Sequence, residues 1–388
     1  MALAASAFAM GTAEFVVAGL LPTIAADLEV SISVTGLLIS AYALAIVVGG
    51  PLFTAAGLRA PRRRLLVLAA ALFVAGNVMA AIAPGYPVLM AGRMLAAFGQ
   101  GSFLPIASVV AADLVPAHLR ARAIAVVFAG GTAANVAGTP LGTLLGQQFG
   151  WRSTFWTLAA IGIASLIAVA VAVPSTPRPV NASLRGESAV FGRLRIWLTL
   201  AIGMLGFGGL FSSFTYIAPF LTSVSGYPAG AVAPLLALFG VGLVVGNLAG
   251  GRFGGRNQLG ALAGALALLT VGLSGLALGG SSPVLAVILL ILVGAAGFAL
   301  VAPFMTRLID QAGGAPLLAA AAGGSAANLG AAAGAYLGGL AIDFGLGFTG
   351  PPAIGSAIAA TGLLVLLTAR ALDRTCGRRG RLRPADRP

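Results

Sequence analysis

Residues 97–143 read AFGQGSFLPIASVVAADLVPAHLRARAIAVVFAGGTAANVAGTPLGT, two apolar stretches joined by a short basic turn. Parts of this stretch recur in the second half of the chain. GAAGFALVAP at 294–303 resembles the segment that ends at Pro105, and GGSAANLG at 323–330 repeats most of GGTAANVAG at 130–138. Internal self-similarity of this kind indicates that the chain contains two copies of one structural unit.

The composition is that of an integral membrane protein. Hydrophobic residues make up 59% of the chain and charged residues 8%, whereas about 25% of the residues of a soluble domain are charged. An α-helix rises about 1.5 Å per residue, so roughly 20 apolar residues cross a hydrocarbon core about 30 Å thick. Many stretches of this length occur, and a single soluble core cannot bury so much apolar surface. We therefore predict an all-α protein that crosses a lipid bilayer many times.

All 22 basic residues are arginine, and this excludes several kinds of chemistry. Without lysine, the chain has neither the lysine of a phosphate-binding loop nor one that forms a Schiff base. The single His118 and the single Cys376 cannot form a His/Cys metal site or an internal disulfide, so no metal or other cofactor is expected. The arginines behind the net charge of +13 lie mostly at membrane edges, so no nucleic-acid partner is expected either.

Twelve transmembrane helices are predicted from the apolar stretches. These spans cover 1–21, 33–53, 65–84, 87–111, 123–146, 154–174, 196–221, 230–251, 258–280, 284–306, 317–341 and 351–371. The loops that follow even-numbered spans are basic, whereas Arg152 is the only basic residue in the loops that follow odd-numbered spans. Because basic loops stay on the cytoplasmic side, both termini are expected in the cytoplasm of a protein of the inner or plasma membrane.

The longest interior polar stretch, residues 175–195, is rich in Pro, Ser and Arg and divides the spans into two sets of six. We predict an N-terminal six-helix bundle over 1–174, a cytoplasmic linker over 175–195 and a C-terminal six-helix bundle over 196–371. The remaining residues, 372–388, are predicted to form a basic cytoplasmic tail that contacts anionic headgroups.

Four local motifs carry a family resemblance: GTAEFVVAGLLP at 11–22, PRRR at 61–64, GRMLAAFGQG at 92–101 and GTPLG at 138–142. Together with the two sets of six spans, they resemble the major facilitator superfamily, in particular its drug:proton antiporter branch. Within that branch the chain is most similar to chloramphenicol-exporter and arabinose-efflux-like proteins. The resemblance implies a monomeric, proton-coupled exporter of small, largely apolar compounds. It also implies a central site between the halves that opens alternately to each side.

Two alternatives remain open from the sequence. In the first, the exported compound is a sugar or another metabolite, although sugars need several polar contacts and the spans offer few. In the second, the chain is a polytopic membrane enzyme or a sensor. No nucleophile motif and no histidine pair is visible, and the longest segment outside the membrane, 175–195, is too short for a soluble output domain. Enzyme and sensor functions are therefore disfavoured.

The loop after span 2 departs from the family pattern. The superfamily usually places an acidic residue between a glycine and the basic run, where it helps to lock the cytoplasmic side. Nothing from 50 to 64 is acidic here, and the aligned position is Thr54. Either gating relies on other contacts, or the protein is a weakened member of the family. In the first case the substitute for the missing acid is Asp113 or Asp310, at the cytoplasmic ends of spans 4 and 10. Arg62, Arg63 and Arg64 are also expected to serve packing or gating.

Glu14 lies well inside the apolar run of span 1. A charged side chain at membrane depth costs about 2.5–3.5 kcal/mol on insertion scales, so such residues usually face a cavity and serve a function. We predict that Glu14 carries the transported proton, contacts the substrate, or does both in exchange. The alternative is a structural carboxylate bonded to a neighbouring helix.

Arg93 is the only arginine well inside a span. The family resemblance implies that Arg93 couples protonation to substrate binding. The alternative is an arginine that reaches the membrane surface with its charged end, or one that bridges two helices.

Glycines recur every four residues in spans 5 and 11, where small residues let helix backbones approach closely. Pro140 removes a backbone hydrogen bond from span 5 and favours a bend. In the resembled family this stretch packs the spans that slide during transport, although plain close packing accounts for the same residues. The positions expected to serve packing or gating are Gly138, Pro140, Gly142, Gly330 and Gly334.

Asn135 and Asn328 occupy the same place in the two repeats, and a buried amide needs hydrogen-bond partners. Those partners are either the substrate or a neighbouring helix, and the sequence favours neither. Phe207, Phe211 and Phe214 share one face of span 7. They form either the wall of an apolar substrate cavity or a surface in contact with lipid.

Overall fold

The computed structural model describes residues 1–57, 61–174, 191–312 and 316–381 of the 388-residue chain. All regular secondary structure in this part of the chain is helical, and it contains no strand. Most of the predicted linker lies outside the described residues. The predicted all-α membrane fold is therefore confirmed for the residues that the structure describes.

The helices that form the spans follow the predicted positions closely. Spans 1 to 6 lie at Ala2–Asp27, Ile32–Gly57, Arg62–Ala81, Tyr86–Asp113, Arg122–Phe149 and Trp151–Ala172. Spans 7 to 12 lie at Leu194–Thr215, Val232–Gly254, Gln258–Gly279, Pro283–Ala312, Pro316–Ala341 and Gly350–Arg381. The last helix continues well past 371, where the sequence predicted its end.

The described residues contain eleven stretches long and apolar enough to cross a membrane, the last of them Leu318–Ala371. This last stretch comprises spans 11 and 12, which are separated at Ile342–Leu346. Gly345 has a φ of 85° there, and glycine takes this left-handed conformation without the steric penalty of a side chain. When this stretch is divided at Gly345, the described residues contain twelve apolar helical spans, the number that the sequence predicted.

Three spans are interrupted next to prolines, which have no N–H to donate to the carbonyl four residues earlier. In span 5, the π-helical segment Ala134–Gly138 comes just before Pro140. In span 10, the helix is broken after Ala299, four residues before Pro303. Span 7 stops at Thr215 and continues as the short helix Ile217–Ser223, which contains Pro219.

The twelve spans form two six-helix halves that meet along two seams. Within the first half, span 4 packs against spans 2 and 3, and span 1 packs against spans 5 and 6. The second half repeats this arrangement, because span 10 packs against span 8 and span 7 packs against spans 11 and 12. The contacts between halves join span 2 to span 11 and span 5 to span 8.

Hydrogen bonds join the halves on one face of the bundle. Ser33 Oγ donates to Asp343 Oδ1 at 2.5 Å, and Gln147 Nε2 donates to the carbonyl of Ala229 at 2.9 Å. We call this side the arginine-poor face, and the side with the basic loops the arginine-rich face. At the arginine-rich face, the ion pair formed by Arg62 and Asp113 lies within the first half. The two halves are therefore closed together on the arginine-poor face.

Candidate functional site

A hydrogen-bonded chain crosses three spans at their middle. Gln100 Nε2, on span 4, donates to Oε2 of Glu14 at 2.6 Å. Tyr42, on span 2, donates its hydroxyl to Gln100 Oε1 at 2.5 Å. The amide of Gln100 thus uses its donor on the carboxylate and its acceptor on the phenol, which fixes its orientation. Glu14 is thus hydrogen-bonded to a neighbouring helix, as the structural alternative predicted. This bond is also compatible with a functional role for the carboxylate.

Arg93 is enclosed beside this chain, with 1% of its surface exposed. Its Nη1 donates to the carbonyl of Ala13 at 2.8 Å, and its guanidinium carbon lies 3.9 Å from the centroid of the Tyr42 ring. A desolvated cation–π contact of this kind contributes about 2 kcal/mol. Of the two structural alternatives for Arg93, the structure shows the bridge, because the side chain is buried and connects span 4 to span 1. The coupling role of Arg93 stays a prediction.

Arg93 keeps unused hydrogen-bonding capacity. Its Nε and Nη2 are buried and have no hydrogen-bond partner in the described part of the chain. The guanidinium and the Glu14 carboxylate form no direct ion pair among the described residues, although Arg93 binds the carbonyl of the residue next to Glu14. The cluster therefore holds a buried cation close to a carboxylate, with donors left over for another partner.

An aromatic cluster extends from Glu14 across the boundary between the halves. The ring of Phe15, on span 1, lies 5.7 Å from that of Phe211 and 5.6 Å from that of Phe214. Phe214 in turn stacks on Phe239 of span 8 at 4.8 Å. Phe211 and Phe214 are buried, so the alternative that they face lipid is wrong. Phe207 is half-buried and packs against the same core.

The two asparagines of the repeats have different surroundings. Asn328 Nδ2 donates to the carbonyl of Gly324 in its own helix at 3.0 Å. Asn135 lies in the π-helical segment of span 5, and its Oδ1 is buried without a hydrogen-bond partner among the described residues. The structure shows no hydrogen bond between either amide and Glu14 in the described part. Substrate contact by Asn135 and Asn328 stays a prediction.

The glycines of spans 5 and 11 lie where two helices touch. A Cβ atom at Gly142 would come within 2.8 Å of Val16, and one at Gly138 would overlap Thr12, both on span 1. On span 11, a Cβ at Gly330 or Gly334 would overlap the backbone of span 7. Pro140 is buried in the same contact region. These positions pack helices closely, and their part in gating stays a prediction.

The charged residues expected at the gate contact partners within their own half. Arg62 Nη1 lies 2.5 Å from Asp113 Oδ2, and Arg63 donates to the carbonyl of Ala170. In the second half, Gln258 Nε2 donates to Asp310 Oδ2 at 2.6 Å. Both acidic residues thus connect the end of one span to the start of its neighbour. For two further residues of this region the structure gives no contact that bears on gating. Arg64 is exposed, and the side chain of Thr54 lies outside the described residues.

Sequence reasoning missed Tyr42, Gln100 and Phe15 as members of the site. Gln100 lies seven residues after Arg93 on span 4, so the two share a helix face, and that spacing was a usable signal. Nothing in the sequence connects Tyr42 to either residue. Among the described residues, no group of three His, Cys, Asp or Glu side chains is placed to hold a metal ion.

Two pseudo-symmetric helical halves around a midspan polar cluster are the architecture of a membrane transporter. The family model for the Major Facilitator Superfamily matches residues 3–335, and the chain belongs to this superfamily. The family resemblance found in the sequence motifs is therefore confirmed.

The similarity of the chain to known transporters is consistent with its membership of this superfamily. The chain is 39% identical over 376 residues to the inner membrane transport protein YdhP of Escherichia coli (strain K12), with 97% of each chain covered. It is 37% identical over 377 residues to a chloramphenicol resistance protein of Streptomyces lividans, with 96% of each covered. The crystal structure of a peptide transporter has the same fold, with a TM-score of 0.75 at 14% identity over 97% of this chain and 94% of that one.

Proposed function

We propose that the protein is a proton-coupled antiporter that exports small, largely apolar compounds. The observation that carries this proposal is the chain of contacts from Glu14 through Gln100 and Tyr42 to Arg93. Among the described residues, Glu14 lies in the middle of an apolar span, whereas Asp27, Asp113 and Asp310 lie at the ends of spans and Asp373 lies in the polar end of the last helix. A lone intramembrane carboxylate beside a buried cation is suited to carry a proton.

Proton exchange at Glu14 changes the charge that acts on Arg93. When the carboxylate is charged, the two groups compensate each other; a proton on Glu14 leaves the guanidinium uncompensated. In an interior of low effective dielectric, this change strongly disfavours the same arrangement of groups. The free Nε and Nη2 of Arg93 are then available to a new partner. Proton binding is thereby coupled to a rearrangement of spans 1, 2 and 4.

The substrate site that we propose is the aromatic cluster next to Glu14. Phe15 belongs to the first half, whereas Phe211 and Phe214 belong to the second, so a compound between these rings contacts both halves. Aromatic rings favour flat, apolar ligands and offer sugars few hydrogen-bond partners. The similarity to a chloramphenicol resistance protein supports drug efflux, with chloramphenicol as the first compound to test. Export of a sugar or another metabolite is the less favoured alternative.

We also propose that the protein is a monomer in the inner or plasma membrane with both termini in the cytoplasm. The arginine-rich face is then the cytoplasmic one, as expected from the distribution of basic loops. The hydrogen bonds between the halves lie on the opposite face. With this orientation, the proposed state of the protein is one that is closed towards the outside.

The test is proton movement in everted membrane vesicles with an acidified interior. Addition of chloramphenicol, followed by a panel of lipophilic cations, is expected to make the interior more alkaline with the wild-type protein. Glu14→Gln is expected to abolish this response, whereas Glu29→Gln, which changes an exposed acid, keeps it. A response that survives in Glu14→Gln would place the proton site elsewhere. No response to any compound, with the protein present in the membrane, would contradict the proposed coupling.

A further inference from the structure

Four polar side chains form a line along span 5: Asn135, Thr139, Thr143 and Gln147. Each has a side-chain oxygen that is enclosed and has no hydrogen-bond partner among the described residues. Thr139 and Thr143 are 3% and 0% exposed. Native proteins leave few buried polar atoms unpaired, so four at a spacing of one helical turn require an explanation. We call these four residues the polar stripe.

The two threonines of the polar stripe behave unlike others in the same bundle. A buried helical threonine usually donates its hydroxyl to the carbonyl of the preceding turn. Thr12 does so to Phe8 at 2.8 Å, and Thr215 on span 7 does so to Phe211 at 2.7 Å. Thr139 and Thr143 make no such bond. In this state their hydroxyls therefore have no hydrogen-bond partner in their own helix.

The polar stripe lies along the seam between spans 5 and 8. The backbone at Asn135 is so close to Gly240 of span 8 that a Cβ there would lie 2.5 Å from the Asn135 carbonyl oxygen. Thr143 and Leu236 of span 8 both approach Gly19 of span 1. At the arginine-poor end, Gln147 Nε2 donates to the carbonyl of Ala229, while its Oε1 stays unpaired.

Span 8 offers the polar stripe an apolar surface. The buried residues of its first half include Val232, Leu236, Phe239 and Gly240, and none of these has a side-chain donor or acceptor. The buried side chains of span 8 therefore offer the polar stripe no hydrogen-bond partner when the seam is closed, and the bond that remains runs from Gln147 to the backbone of Ala229. This mismatch destabilises the closed seam relative to a state in which water reaches the same atoms.

The corresponding seam of the second repeat lacks this feature. When GGTAAN at 130–135 is aligned with GGSAAN at 323–328, the positions of Thr139, Thr143 and Gln147 become Ala332, Tyr336 and Leu340. The carbonyl of Ala332 accepts a hydrogen bond from Ser40 at 3.0 Å across the seam between spans 2 and 11. The polar stripe is thus a property of span 5 alone and does not follow from the internal repeat.

We propose that the polar stripe is the wall of a water-filled pathway that opens between spans 5 and 8 towards the arginine-poor face. When the halves part, Asn135, Thr139, Thr143 and Gln147 bind water and neutral hydrogen-bonding groups of the departing substrate. Because these groups are unpaired in the closed state, they also favour release of the seam. The inference rests on the alternating access of the proposed function, but it does not depend on proton coupling or on the identity of the substrate.

Cysteine accessibility tests this pathway, because Cys376 is the only native cysteine. In a Cys376→Ser background, Thr139→Cys and Thr143→Cys are treated with a hydrophilic maleimide in purified, detergent-solubilised protein. Thr154→Cys is the control, since Thr154 is 1% exposed and bonds to Gly142 within the same half. We expect labelling of both seam cysteines at least about tenfold faster than labelling of the control. Labelling of either at the control rate would overturn the pathway.

A second pair of variants tests whether the unpaired hydroxyls loosen the seam. Thr139→Val and Thr143→Val keep the side-chain shape and remove both hydroxyls, and Gln147→Cys reports opening in the same protein. We expect labelling at position 147 to slow by about tenfold when both valines are present. An unchanged or faster rate would overturn the proposal. Neither experiment adds a substrate or a proton gradient, so failure of the proposed antiport leaves these outcomes interpretable.

Discussion

Ser33 donates its hydroxyl to Asp343 at 2.5 Å, and this bond connects the start of span 2 to the end of span 11 across the boundary between the halves. Ser33 is buried, whereas Asp343 is exposed. A second serine, Ser31, lies 2.9 Å from Ser33 and extends the network. Because this bond is charge-assisted and lies at the edge of the closed face, we predict that it acts as a latch between the two halves.

Removal of this latch is expected to favour the state that is open on the arginine-poor face. Asp343→Ala and Ser33→Ala each remove one hydrogen bond, and we expect a threefold to tenfold shift towards opening, about 0.5–1.5 kcal/mol. The measurement is pulsed electron paramagnetic resonance between spin labels at Gln148→Cys and Phe344→Cys in a Cys376→Ser background. The longer-distance population should grow in both variants. Glu29→Ala is the control, and equal distance distributions in all variants would contradict the latch.

Tyr42 performs two separable tasks, because its ring supports Arg93 and its hydroxyl holds Gln100. Tyr42→Phe keeps the ring and loses the hydrogen bond, whereas Tyr42→Leu loses both. We expect Tyr42→Phe to cost about 1 kcal/mol of stability and Tyr42→Leu about 2 kcal/mol more. Thermal unfolding of the purified protein measures the difference. If both variants unfold at the same temperature, the contact of the Tyr42 ring with Arg93 contributes nothing to stability.

The close packing of spans 7 and 11 depends on glycine at particular positions. A Cβ at Gly334 would overlap the carbonyl oxygen of Gly208, so Gly334→Ala requires the two helices to move apart. We expect this variant to lose about 1–3 kcal/mol of stability and to unfold at a lower temperature. Gly324→Ala is the matched control in the same helix, because nothing lies within 4 Å of its added Cβ. Because alanine favours a helix more than glycine does, Gly324→Ala is expected to keep or gain stability. Equal loss in both variants would contradict the role of close packing at Gly334.

The two charged members of the candidate site were predictable, because a charged residue within an apolar run is easily recognised in the sequence. Glu14 and Arg93 interrupt long hydrophobic stretches, and the cost of inserting a charge makes such residues candidates for function. Tyr42 and Gln100 carry no charge, so no feature of the sequence marks them as members of the site. Their role appears only when three spans are packed together, since they connect Glu14 to Arg93 through contacts between helices that are distant in sequence.

The environment of a side chain was not predictable where a helix face has two possible neighbours. Phe211 and Phe214 occupy a face of span 7 that periodicity alone assigns equally to lipid or to the protein interior. The structure places them against Phe15 of the other half. The repeat likewise predicts equal roles for Asn135 and Asn328, yet only one of the two amides keeps an unpaired buried oxygen.

The sequence by itself determined the number of spans, their positions, the division into two halves and the family, because apolar length and local motifs are properties of contiguous residues. Only the tertiary structure decided which face is closed, how Arg93 is enclosed and which hydroxyls of span 5 lack partners. Those features depend on which helices meet, and the free energy of a buried polar group is set by the neighbour that it finds there.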